Sequence, residues 1–177
     1  NIFNFYIKKF NLPLNKKIGT LSKGMKMQYM LSLALSHHAE LLIMDEPTSG
    51  LDPLVRLELI QILRELADKG IGILFSSHIT SDLEKIVDNL VFIHKGIMIF
   101  QKSIQEVKNS YFNVEDDLIN LTPENKKLFL NVVKYRETFK GIYFGNKNDI
   151  ISNFPNAKIE NASLEDIMIG NIYRCEQ

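Results

Sequence analysis

Cysteine is nearly absent: Cys175 is the only one in 177 residues. That excludes a disulfide framework and a thiolate metal cluster, and it fits a reducing, cytosolic compartment. A surplus of charge is missing too. Lysine plus arginine and aspartate plus glutamate both number 21, a formal net charge of zero. Such a balance leaves no electrostatic footprint for nucleic acid or an anionic membrane. No apolar run approaches the roughly 20 residues that span a bilayer. The opening stretch, "NIFNFYIKKFNLPLNKK", lacks the basic head and apolar block of a secretory signal. The phosphate cradle G-x-x-x-x-G-K-S/T is also missing. The nearest string, "GIMIFQKS" from Gly96 to Ser103, has Gln101 where the second glycine belongs. That glycine lets backbone amides wrap a phosphate. The string reads as a strand and is rejected as a cradle.

The composition present is that of a globular domain: 45% hydrophobic and 24% charged, enough for a sizeable core. Residues 1–109 alternate helix-period and strand-like stretches, as a parallel α/β sheet requires. Residues 110–177 are richer in asparagine, with short strand-like runs such as "KGIYF" and a closing amphipathic run, "SLEDIMIGNIYR". They read as a small C-terminal α+β extension. Ser22 to His37 predicts a helix, with Met27, Met30, Leu31, Ala34 and Leu35 at helical spacing. "ELLIMDE" predicts a short strand covered on both faces. Pro53 to Lys69 predicts a second helix with Val55, Leu59, Ile62, Leu63 and Leu66 on one side, stopped by Gly70. "IGILFSSH" predicts a second buried strand, and "TSDLEKIV" a short helix capped by Thr80 or Ser81. "NLVFIHKGIMIFQ" predicts two strands around a tight turn at His94–Gly96. Phe3, Phe5, Tyr6 and Phe10 read as helix packing, and the methionines as core filling.

The stretch "LLIMDEPTSGLD", Leu41 to Asp52, brings two adjacent acids to the tip of an apolar strand. Ligands of open α/β sheets sit at that edge. Asp45 could hold Mg²⁺, which favours one or two carboxylates together with phosphate oxygens. Glu46 points elsewhere and could orient or deprotonate a water. Phosphoryl transfer needs this division of labour. The plain alternative is a pair of acids that solubilises a strand end. In "LSKGM", Ser22 reads as a helix cap and Gly24 as a position without a Cβ in the way of a phosphate. In "SGLDP", Asp52 as a cap and Pro53 in the first turn account for the residues by themselves. His78 in "FSSH" falls just past the second strand, where it could donate to a phosphate oxygen or to a water. His37 and His38 diverge by about 100° on a helix and complete no metal site.

In this order and at these distances, "LSKGM", "LLIMDEP", "SGLD" and "SSH" resemble the ATPase subunit of an ABC transporter. The resemblance covers most of the first hundred residues. It implies a P-loop NTPase-like parallel sheet, present in part, with flanking helices. It implies Asp45 as the Walker B metal aspartate, Glu46 as the catalytic glutamate and His78 as the switch histidine. Ser22 and Gly24 match the signature motif that grips the γ-phosphate of ATP on a partner subunit, and Ser49 to Asp52 match the D-loop. Nucleotide contacts are therefore expected at Ser22, Lys23, Gly24 and Asp52. Lys23 and Met25 depart from the usual glycine and glutamine of the signature. Gln28 follows the pattern, and Tyr29 replaces an arginine. The Lys-Gly form and the closing run resemble exporter-type members.

Implied partners are ATP, Mg²⁺, a second ATPase subunit in a head-to-tail pair, and a transmembrane permease at the inner face of the membrane. Nucleic acid is not expected. The glutamine-bearing Q-loop is not found before residue 20, and the first residue is Asn1 rather than methionine. The expectation is that the cassette is truncated, and that the 177 residues alone neither bind nor hydrolyse ATP well. Open sheet edges and an exposed apolar face should follow. The rivals are a soluble relative acting on DNA or ribosomes, and a non-catalytic module in which residues 110–177 recruit a partner.

Overall fold

The computed structural model describes residues 2–176 and divides into two compact units, Asn1–Ile86 and Val87–Gln177. The first begins with helix α1 (Ile2–Lys9) and helix α2 (Lys23–Ser36). Strand β1 (Leu41–Asp45), helix α3 (Pro53–Asp68), strand β2 (Gly72–Ser76) and helix α4 (Thr80–Ile86) follow. β1 and β2 pair in parallel, from Leu41 opposite Gly72 to Asp45 opposite Ser76. Helix α3 is thus the crossover that a parallel pair demands. Leu31 and Leu35 of α2, Leu42 of β1, and Leu59, Ile62, Leu63 and Leu66 of α3 form one buried cluster. Tyr6, Phe10, Met27 and Met44 pack against it.

The helix ends follow the local chemistry of the sequence. Ser22 caps α2 by accepting from Met25 N at 3.2 Å. Asp52 caps α3 by accepting from Val55 N at 3.1 Å, with Pro53 in the first turn. Gly70, at φ +87°, takes the left-handed backbone that stops α3. Thr80 is the first residue inside α4 rather than its cap. The Ser77 hydroxyl accepts from Ile79 N, just ahead of that helix.

The expectation that β1 and β2 are covered on both faces does not hold. Leu41, Ile43 and Leu74 are 56, 72 and 59% exposed. They alternate with Leu42 and Ile73, which turn to the helices, so one face of the pair is dry and the other open. An all-apolar strand reports only its own hydrophobicity; what covers it comes from elsewhere in the chain. The methionines also split: Met30 and Met98 are exposed, at 62 and 59%, so they do not fill the core.

The second unit starts with strands β3 (Asn89–His94) and β4 (Ile97–Ser103), an antiparallel hairpin. Lys95 and Gly96 form its turn, both at positive φ (49° and 77°). That is the twist a two-residue hairpin favours. Helix α5 (Ile104–Ser110), strand β5 (Tyr111–Asp117), helix α6 (Pro123–Lys126) and strands β6 (Phe129–Lys134) and β7 (Thr138–Phe144) come next. Helix α7 (Lys147–Asn153), strand β8 (Lys158–Asn161) and helix α8 (Leu164–Cys175) complete it. The sheet order is β6-β7-β5-β8, all antiparallel. Its core is aromatic: Phe112, Phe129, Phe139, Tyr143 and Phe154, with Val114 and Ile150. A Cβ at Gly170 would come within 2.9 Å of Ile142 Cδ1 and 3.3 Å of Leu130 Cβ, so its absence lets α8 lie close on the sheet.

The division at residue 86 lies upstream of the change in sequence texture near residue 109. The hairpin is tied forward by aromatic contact. Phe92 meets Phe100, Phe100 meets Tyr111, and Tyr111 meets Phe144, with centroids 5.6, 6.2 and 4.8 Å apart. The Lys102 ammonium lies 4.6 Å from the Phe144 ring. A reciprocal capping box, Ser103 with Glu106, starts α5 between hairpin and sheet.

Candidate nucleotide site at the strand tip

β1 delivers Asp45 and Glu46 to the same sheet end at which β2 delivers Ser76, Ser77 and His78. The parallel register fixes this, because Asp45 is opposite Ser76. The Ser76 hydroxyl donates to Asp45 Oδ1. Glu46 N donates both to Ser76 O and to Ser76 Oγ, each at 3.1 Å. One further rung of the ladder therefore forms beyond β1. The chain then turns sharply: Glu46 has φ 46°, and Ser49 N donates back to Glu46 O at 3.1 Å. A left-handed conformation is uncommon for glutamate. It aims the Glu46 side chain across the tip rather than along the strand.

There Glu46 Oε1 accepts twice from His78, from its backbone N at 3.0 Å and from ring Nδ1 at 2.8 Å. An ionised carboxylate only accepts, so Nδ1 carries a proton. The ring is thereby oriented with its far nitrogen directed away from Glu46, and the imidazole is 70% exposed. Glu46 Oε2 is buried and has no hydrogen-bond partner among the described residues. An unsatisfied buried carboxylate oxygen is costly. Its lone pairs are free to accept from a water.

Asp45 is exposed, with one oxygen held by Ser76. Among the described residues no group of three or more His, Cys, Asp or Glu converges. A cation here would be held by Asp45 and would take its other ligands from nucleotide and water. That set suits Mg²⁺ and does not suit a zinc cage. His37 and His38 stand at the far end of α2, where His38 has left-handed backbone (φ 55°).

Lys23 is brought against the turn that follows the tip and Gly24 against the start of α3, while the Ser22 hydroxyl caps α2. A Cβ on Gly24 would lie 2.5 Å from Val55 Cγ1, so its missing side chain lets α2 meet the start of α3. Lys23 Nζ lies 2.9 Å from where a Cβ of Gly50 would stand. Asp52 is occupied in capping α3. The Gly24 contact has a measurable consequence. Valine is stiff at χ1, so G24A should cost about 1–3 kcal/mol of stability by overpacking, despite alanine's higher helix propensity. Urea denaturation should show V55A recovering much of that loss in the double variant. An unchanged midpoint for G24A alone would mean that the two helices are not in this contact.

Two groups that position the site escaped the sequence reading. One is Ser76, visible only once the register is known. The other is an ion pair. Arg56 Nε donates to both Asp82 oxygens at 2.8 Å, and Nη2 lies 2.6 Å from Asp82 Oδ1. The Asp82 side chain is 1% exposed. Arg56 also reaches Ser81 Oγ, and Arg64 donates to Lys85 O at 2.8 Å. Two arginines of α3 thus hold α4, the helix that follows the loop carrying His78. The sequence signal was faint: an aspartate in the first turn of a short helix.

A parallel strand pair with a crossover helix, two acids at its carboxyl end and a histidine latched to one of them define an α/β fold of the P-loop NTPase kind. A family profile described as "AAA domain, putative AbiEii toxin, Type IV TA system" matches residues 14–81. "Uncharacterized ABC transporter ATP-binding protein YhaQ" of Bacillus subtilis is 32% identical over 94% of this chain and 61% of its own length. "Bacitracin transport ATP-binding protein BcrA" of Bacillus licheniformis is 40% identical over 53% of this chain and 32% of its own. A solved "Structure of ATP binding subunit of ABC transporter" superposes with TM-score 0.54 at 32% identity, over 60% of this chain and 45% of that one. In sequence and in fold the chain is similar to ATP-binding proteins of ABC transporters. It spans less than two thirds of the length of these relatives.

Proposed function

We propose that this chain works in an ATP-hydrolysing subunit that powers transport, with export as the direction, through a transmembrane permease at the inner face of the membrane. The observation that carries the reading is Glu46 at the strand tip, one oxygen locked to His78 and the other buried without a partner. Glu46 Oε2 holds the attacking water and draws its proton. His78 keeps Glu46 aimed and offers its outer nitrogen to the γ-phosphate. Asp45 holds Mg²⁺, which when bound neutralises phosphate charge. Ser22, Lys23 and Gly24, at the start of α2, face the nucleotide of a second ATPase subunit, and the turn to Asp52 reaches across the pair. A relative named for bacitracin transport supports the transport role. No helix of the described residues is long and apolar enough to cross a membrane, and the permease supplies that part. Residues 110–177 are an accessory region to the cassette.

Sedimentation of the full-length protein carrying E46Q tests this. With ATP and Mg²⁺ it should run as a stable pair, because ATP favours the closed state that makes both sets of contacts and hydrolysis no longer releases it. Failure of ATP to change its mass would overturn the reading.

A further inference from the structure

The sheet of the second unit has an open edge with a groove along it. β6 is bonded on one side only, to β7. In an antiparallel edge strand, alternate residues turn N–H and C=O outward, where a further strand can bond. A cavity of about 520 Å³ is lined by Phe129, Leu130, Asn131 and Val132. β6 is bulged between Phe129 and Asn131, and the cavity touches the strand on both sides of that bulge. The strand bears no charge from Phe129 to Val133, and Val133 is 50% exposed.

Cations flank this uncharged stretch. Lys126 and Lys127 line the same groove from α6 and the residue after it, and Arg174 lines it from the last turn of α8. All three are exposed, and none forms an ion pair among the described residues. The strand's own guards against chance pairing are Lys134 at its end and the bulge near its start. Here the centre of the strand is left open and the charge stands beside it.

We propose that this edge receives an extended acidic segment of a partner protein, added as a fifth strand, with its carboxylates facing Lys126, Lys127 and Arg174. Main-chain bonds to β6 supply affinity, and the flanking cations supply the preference for acids. An anionic membrane would use the charges alone and leave the outward N–H and C=O groups of β6 unmatched.

Fluorescence anisotropy on the full-length protein tests the proposal, with a labelled octapeptide alternating glutamate and threonine as the probe. Saturable binding is expected. It should weaken about tenfold in K126E/K127E, a double change at exposed positions outside the nucleotide site. Two further peptides, N-methylated at one or the other set of alternate residues, keep the charge. The set that faces β6 should lose binding and the other should retain it. Equal binding by both methylated forms would overturn strand addition. So would absence of binding to a folded protein, or binding to phosphatidylserine vesicles without binding to the peptide.

Discussion

ATP turnover by the full-length protein should fall about 10²–10⁴-fold when Glu46 becomes glutamine, the range a positioned general base contributes. The variant is informative because it spares the geometry. Glu46 Oε1 accepts from His78 N and Nδ1, and the carbonyl oxygen of a glutamine accepts from the same two donors. The loop after β2 therefore stays latched. What changes is Oε2, buried and unpartnered, which becomes an amide that donates and takes up no proton. Phosphate release at saturating ATP should collapse while ATP affinity is kept, the pattern of an interaction made only in the transition state. If affinity and turnover fell together, Glu46 would be holding structure or nucleotide rather than water.

Replacing Arg56 with alanine should cost about 3–5 kcal/mol, the penalty for leaving a buried charge alone. Asp82 is 1% exposed in its side chain and takes the guanidinium on both oxygens. With its partner gone, that buried carboxylate has lost the donors that face it. R56A/D82A should recover most of the loss, since no charge then remains inside. Chemical denaturation of the two variants measures this, and the sign of the difference is the point. A double variant no better than R56A would mean that Asp82 is solvated in the absence of its partner. Because α4 follows the His78 loop, R56A should also loosen the Glu46–His78 latch and slow turnover beyond what lost stability explains.

The cassette-like unit was legible because its signals are local. The serine, aspartate and proline at the helix starts, the glycine after α3 and the apolar period of α2 and α3 each act within one turn. Asp45, Glu46 and His78 could be read as one site because strand tips of a parallel pair converge. Contacts set by register or packing were not legible. Ser76 bonds Asp45 from the opposite strand, Arg56 reaches Asp82 from another helix, and Lys23 rests on Gly50. An exposed apolar face was expected of a truncated sheet and is found at Ile43 and Leu74; cover on both faces of β1 and β2 was wrongly expected, because hydrophobicity says nothing about what covers a strand. In the second unit, "SIQE" from Ser103 to Glu106 held a capping box in plain view, while β5 hid in "YFNVEDD". Its acids include the buried Asp116, and alternation marks a strand only when its inward positions are apolar.

The division of labour between the two acids is tested most directly by the Mg²⁺ dependence of ATP binding in the full-length protein, measured by calorimetry for D45N beside E46Q. The account predicts that Mg²⁺ strengthens ATP binding by the unaltered protein and by E46Q, and that D45N loses this gain. A D45N protein whose ATP affinity still rises normally with Mg²⁺ would contradict it.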